Sequence, residues 1–79
     1  MPKQKVMLKY PETLIKEPVL FRMAIEFEVL PNIRRARVTD TVGEIVLELE
    51  GSAENLARGL QYLRDVGVEV QPLEGDIVE

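Results

Sequence analysis

The chain has 79 residues and a mass of 9.0 kDa, so one domain, residues 1–79, is the sensible count. Its net charge of −4 argues against a general nucleic-acid binder, which needs surplus Lys and Arg to displace counterions. His, Cys and Trp are absent, which excludes a His general base, a thiol nucleophile, a disulfide, a zinc site of Cys or His, and an iron–sulfur cluster.

A composition that is 46% hydrophobic is that of a globular protein, not a disordered one. A domain this small buries roughly 60–65% of its unfolded surface. Its own core supplies roughly 3–5 kcal/mol, so association with a second copy would help it. No run of about 18 apolar residues is present, so no membrane insertion is expected. The start, MPKQKVMLKYPE, lacks the apolar stretch of a signal peptide. A cytoplasmic location is the expectation.

Residues 5–10, KVMLKY, alternate Val6, Leu8 and Tyr10 with Lys5, Met7 and Lys9, which predicts a strand with one wet face. Pro11 ends it. Pro18 is placed as a first helical residue, where a missing N–H costs nothing. Over residues 18–28, Leu20, Met23, Ala24 and Phe27 have the spacing of a core-facing helix. Phe21 and Ile25 fall outside that arc. They form a second apolar stripe, either a partner surface or one covered by residues 13–17 or the tail.

Residues 32–39 and 44–50 predict a β-hairpin. Setting Val38 opposite Ile45 and Ala36 opposite Leu47 keeps apolar side chains on one face. It leaves Asp40-Thr41-Val42-Gly43 as a four-residue loop, with Gly43 available for a positive φ. In that register Arg35 lies opposite Glu48, and Arg37 is diagonal to Glu44 and Glu48. Arg34 falls on the helix side, opposite Leu49.

Ser52 opens the second helix as its N-cap, with Glu54 in the first turn. Ala53, Leu56, Ala57, Leu60 and Leu63 are its predicted buried face. Gly67 closes it in a Schellman motif, with Leu63 and Val68 placed for the accompanying contact. Gly59, in the interior, costs roughly 1 kcal/mol against Ala, or serves a close backbone approach. Val68 and Val70 begin a last strand that Pro72 ends. The core thus spans about residues 5–73, and residues 74–79 are expected to be a flexible tail.

The order β-α-β-β-α-β with two right-handed crossovers predicts an α+β, ferredoxin-like two-layer sandwich. Its antiparallel sheet would have the order 4-1-3-2, with residues 32–39 on an edge. Arg34, Arg35 and Arg37 are the densest charge. They suit an anion site, since Arg grips carboxylate and phosphate bidentately. They equally suit an edge strand guarded against sheet-to-sheet pairing. The acidic residues have no metal-ligand spacing, and Ser52 has no partner base. No catalytic residue, metal or cofactor is therefore expected.

Residues 29–73, VLPNIRRARVTDTVGEIVLELEGSAENLARGLQYLRDVGVEVQPL, resemble the NIL domain family. The upstream KVMLKYPETLIKEPVLFRMAIEF matches that family's opening. The marks are Lys16-Glu17-Pro18, Asn32-Ile33, Ala36 and Val38, Gly43, Glu50-Gly51, Tyr62-Leu63 and Gly67-Val68. Arg34 stands where the Leu of the family's Asn-Ile-Leu run would be.

The resemblance implies the C-terminal regulatory domain of methionine-import ABC transporter ATPases: an ACT-like, ferredoxin-like dimer that binds methionine. It places Asn32, Ala36 and Val38 at the ligand, where Asn32 would orient the polar end. Arg34 is added from its chemistry, as a partner for a carboxylate. Phe21, Ile25, Ile33, Arg35 and Arg37 are the interface candidates. The hairpin after Asn32 looks shorter than in the transporter version. The chain is expected to be a stand-alone regulatory module that binds a methionine-like amino acid as a homodimer. The rival is an interaction module, without a small ligand, that docks on a protein of sulfur metabolism or a transporter.

Overall fold

Seven elements follow one another along residues 2–73, which the computed structural model describes. They are β1 (Lys3–Tyr10), a 3-10 turn (Glu12–Leu14), α1 (Val19–Phe27), β2 (Leu30–Val38), β3 (Gly43–Glu50), α2 (Ala53–Val66) and β4 (Glu69–Leu73). The expected flexible tail at 74–79 lies outside the described residues. The strands form one antiparallel sheet in the order β2-β3-β1-β4, the expected order read from its other edge. The fold is the α+β ferredoxin-like sandwich.

Alternation in β1 and β3 builds the sheet's half of the core: Val6, Leu8, Leu47 and Leu49 are buried. Val19 and Met23 of α1, and Leu56, Leu60 and Leu63 of α2, pack onto that face. Their odd partners in β1 and even partners in β3 stand on the opposite, helix-free face.

Two helix expectations need correction. Pro18 is the N-cap of α1, with φ −80° and ψ 56°, not its first helical residue. The buried stripe accordingly starts at Val19, and Leu20, Ala24 and Phe27 flank it half-buried. In α2, Ala53 and Ala57 are exposed, and Gly59 is buried in their stead. A Cβ on Gly59 would stand 2.8 Å from Met23 Sδ, so the bare backbone lets the two helices close up. The α2 ends are as expected. Ser52 Oγ accepts the Asn55 N–H at 3.0 Å. Gly67, at φ 113°, donates to the Arg64 carbonyl, and Val68 N–H reaches the Leu63 carbonyl at 2.9 Å.

The hairpin register also differs. Ala36 pairs with Ile45, Arg35 with Val46, Arg37 with Glu44 and Val38 with Gly43. Thr39 decides this. Its N–H donates to the Val42 carbonyl at 2.7 Å, and its Oγ1 accepts from the N–H groups of Thr41 and Val42 at 3.2 and 3.0 Å. The side chain thus closes a loop of residues 39–42, and Gly43 joins β3. Gly43 does not take a positive φ. Its bare backbone instead serves Tyr10, whose Cβ lies 3.1 Å from where a Gly43 Cβ would stand.

Further along, Ile33 pairs with Leu47 and Arg35 with Val46, so Arg34 is the extra residue of a β-bulge. Arg34 therefore does not sit opposite Leu49. β4 runs through Pro72 to Leu73 rather than stopping before it, because an edge strand can spare that N–H. Pro31 is accommodated in edge strand β2 by the same reasoning.

Candidate functional site

The bulge decides which side chains can act together. Without it, Asn32, Arg34, Ala36 and Val38 would share a face by parity. With it, the strand is divided. Asn32 pairs with Glu48 and lies on the helix-free face. Arg34 reaches that same carboxylate, Nη1 to Oε1 at 3.8 Å. Arg35 and Arg37, opposite Val46 and Glu44, also belong to the helix-free face. Together with Met7 they border a shallow depression of about 260 Å³. Ala36 and Val38, opposite Ile45 and Gly43, face the helix layer, as does Ile33.

On the helix side an apolar cleft of about 390 Å³ opens between the first turn of α1 and the hairpin. Ile33 and Val38, 53% and 57% exposed, form its β2 wall, together with Pro31. Val19, Leu20 and Phe21 form the α1 wall, and Phe21 is 65% exposed. Tyr10, Ile15 and Ile45 make the floor and far end. Three of the sequence candidates, Phe21, Ile33 and Val38, thus meet here. Ile25 stands outside the lining, 63% exposed.

Polar groups are few and lie at the rim. Glu17 is the charged lining residue, and its carboxylate stands 3.9 Å from the Arg22 guanidinium. Pro18 provides no side-chain acceptor to the α1 N-terminus, and of the first-turn N–H groups that of Val19 donates to the Glu17 carbonyl at 2.8 Å. The Tyr10 hydroxyl is pushed up from 10.0 to about 12 by burial. It is a neutral hydrogen-bonding group at ordinary pH. Sequence reasoning missed Tyr10 and Ile15 as lining. The segment after Pro11 has no long periodic pattern, and its 3-10 turn becomes visible only when folded against β1. All nine residues of β2 are exposed, so the outer rim of the sheet is uncovered among the described residues. Among them, too, no group of three or more His, Cys, Asp or Glu could hold a metal ion. No described helix is long and apolar enough to cross a membrane.

Residues 4–72 match the NIL domain family along nearly the whole described chain. The chain belongs to the NIL domain family. It is homologous to part of the methionine import ATP-binding proteins MetN. The methionine import ATP-binding proteins MetN of Streptococcus pyogenes serotypes M3 and M12 are each 35% identical to it over 71 residues, covering 85% of this chain. This NIL domain spans only 20% of the length of those relatives. The C-terminal domain of an ABC transporter ATP-binding protein from Enterococcus faecalis superposes with a TM-score of 0.82. That likeness covers 92% of this chain and 86% of the other, at 22% identity, and it speaks for the shared fold.

Proposed function

We propose that this NIL domain is a non-catalytic regulatory module that binds a small amino acid with an apolar side chain, methionine or a relative, and that a second copy meets it along β2. The apolar cleft beside an uncovered edge strand carries this reading. At about 390 Å³ it lies within the roughly 300–1,000 Å³ of small-molecule sites. A thioether suits its lining, because sulfur is polarizable and gains from the Tyr10 and Phe21 rings. The ligand's ammonium group would meet Glu17 at the rim. Its carboxylate would meet the N–H groups of Leu20 and Phe21 in the first turn of α1, where the helix dipole favours an anion.

Asn32 and Arg34 stand across the sheet from the cleft. Only the family likeness brings Asn32 to the polar end of the ligand, so it is tested by a variant of its own. Binding would act by population: a ligand with higher affinity for the assembled form shifts copies into it. The transporter relatives support an ABC ATPase as the regulated partner and a cytoplasmic setting. The exposed Ile25, outside the cleft, favours the second reading, a module that docks on a protein and takes no small ligand.

Titration calorimetry with methionine, homocysteine and cysteine separates the two. Saturable heat with methionine is expected, weakened by roughly tenfold or more in Val38→Asp, which puts a charge against apolar walls. A parallel loss in Asn32→Ala keeps Asn32 at the ligand, and unchanged binding removes it. No heat with any of the three amino acids sinks the sensor. Sedimentation over a range of concentrations tests the dimer, and a monomer throughout contradicts it.

A further inference from the structure

Arg35 and Arg37 are the part of the Arg-rich strand that the cleft does not use. The register expected from sequence sets Arg35 opposite Glu48 and Arg37 diagonal to Glu44 and Glu48, so that each has a carboxylate. The bulge undoes this. It hands Glu48 to Arg34, Nη1 to Oε1 at 3.8 Å, and moves Arg35 opposite Val46. Arg37 lies opposite Glu44 without engaging it. Among the described residues neither Arg35 nor Arg37 makes an ion pair or a side-chain hydrogen bond. Two guanidinium groups are thus left open on one strand face, with backbones about 6.8 Å apart. A charged guard on an edge strand needs no bulge. Re-aiming side chains beside a site is what bulges commonly do.

Both side chains border the depression of about 260 Å³ on the helix-free face. Its floor is apolar, made by Met7 of β1 and Val46 of β3, both half-buried. Glu44 stands at its edge, with Lys9 opposite it across the β1–β3 ladder. Arg35, Arg37 and Lys9 thus outweigh Glu44 here, in a chain whose net charge is −4. Two guanidinium forks also select among anions. A lone carboxylate offers two oxygens, which a single fork fills. A phosphate monoester offers three terminal oxygens and a charge of roughly −1.5 to −2 near neutral pH, which two forks can share.

We propose that this depression is a binding site for a small phosphate monoester, its phosphate held between Arg35 and Arg37 and its carbon body lying on Met7 and Val46. A volume of about 260 Å³ falls below the roughly 300–1,000 Å³ of drug-sized sites, so the body is a few carbons long. Glu44 reads the far end. It repels a second anionic group and accepts a hydrogen bond from a hydroxyl or an ammonium. The site belongs to a single copy and lies across the sheet from the cleft, so it rests on neither the amino acid nor the dimer. Both arginines are exposed, so binding is weak and salt-sensitive.

Titration of the isotope-labelled protein with n-butyl phosphate at low salt, followed by NMR, tests this against inorganic phosphate, succinate and sulfate. Saturable shifts are expected at Met7, Arg35, Arg37 and Val46. Butyl phosphate is expected to bind roughly threefold or more tightly than inorganic phosphate, because its chain covers the apolar floor. Arg35→Gln and Arg37→Gln, checked for folding by circular dichroism, are each expected to weaken binding roughly tenfold. Arg35→Lys and Arg37→Lys keep the charge but lose the fork, and a loss of roughly threefold or more is expected. Arg64→Gln, at the far end of α2, is expected to bind like the wild type. Raising the pH through about 6 adds the monoester's second charge and is expected to tighten its binding but not that of sulfate. Absence of saturation at low salt, succinate or inorganic phosphate bound as tightly as butyl phosphate, Lys variants equal to the wild type, or an equal loss in Arg64→Gln each overturns the proposal.

Discussion

Glu28 ends α1 with φ 55° and ψ 50°, a left-handed backbone that costs a residue with a Cβ roughly 1 kcal/mol. The conformation is held because the N–H groups of Glu28 and Val29 both donate to the Ala24 carbonyl, turning the chain into β2. Glu28→Gly removes the clash and is expected to raise stability by about 0.5–1 kcal/mol in urea unfolding. A loss would mean that the Glu28 side chain contributes contacts that outweigh the strain. Tyr10 sets a pH limit. Its folded pKa, about 12, stands above the ordinary value of 10.0 because burial disfavours the phenolate. The unfolded chain therefore releases its proton first. The stability linked to Tyr10 is fully present below about pH 10 and is lost as pH rises towards about 12. Urea midpoints measured across that range, with Tyr10→Phe as the control, check the sign. The local role of Ser52 was legible in the chain, because an N-cap depends on its own next three residues. The left-handed Glu28 had no such local signature, whereas the alternation of Val6, Leu8 and Tyr10 already set Tyr10, half-buried in the fold, on the core face of β1.

Element by element, the strands and helices follow from alternation, capping and proline. The registers between them do not. α2 was readable to its ends, from Ser52 to Gly67, because every signal lies within the helix. The β2–β3 hairpin was not, because Thr39 chose the loop and Arg34 was absorbed as a bulge. One inserted residue reverses the facing of all that follows, so the candidate site was misassembled from individually reasonable residues. Val38 and Ile33 reached the cleft together, and Asn32 went to the other face. Packing of α1 on α2 turns on Gly59. Gly59→Ala gains roughly 1 kcal/mol of helix propensity. It also drives a Cβ to within 2.8 Å of Met23 Sδ in a fully buried site. Overpacking costs roughly 1–3 kcal/mol, so net destabilisation of about 1 kcal/mol is expected from thermal or urea melts. Equal stability would show that Met23 can move aside.

For the whole molecule, one layer of helices on one face of a four-stranded sheet is a thin structure, 15 Å in its shortest extent. Leu8, fully buried at the centre of β1, has few layers around it to compensate for its loss. Leu8→Ala is expected to cost about 2–5 kcal/mol, most or all of the roughly 3–5 kcal/mol such a domain has. Circular dichroism at 25 °C would then show a largely unfolded chain, and a cooperative melt near that of the wild type would contradict it. Among the described residues the same thinness leaves the β2 rim uncovered, which is why both the ligand and a second copy are proposed to meet the sheet there. By itself the sequence determined the element order, the sheet order and the family, because these depend on periodicity and on residues near one another in the chain. Only the tertiary structure decided the bulge, the cleft and the register of β2 on β3. Each is a relation between strands, and cross-strand register depends on how loops close and helices pack, not on any one segment's pattern.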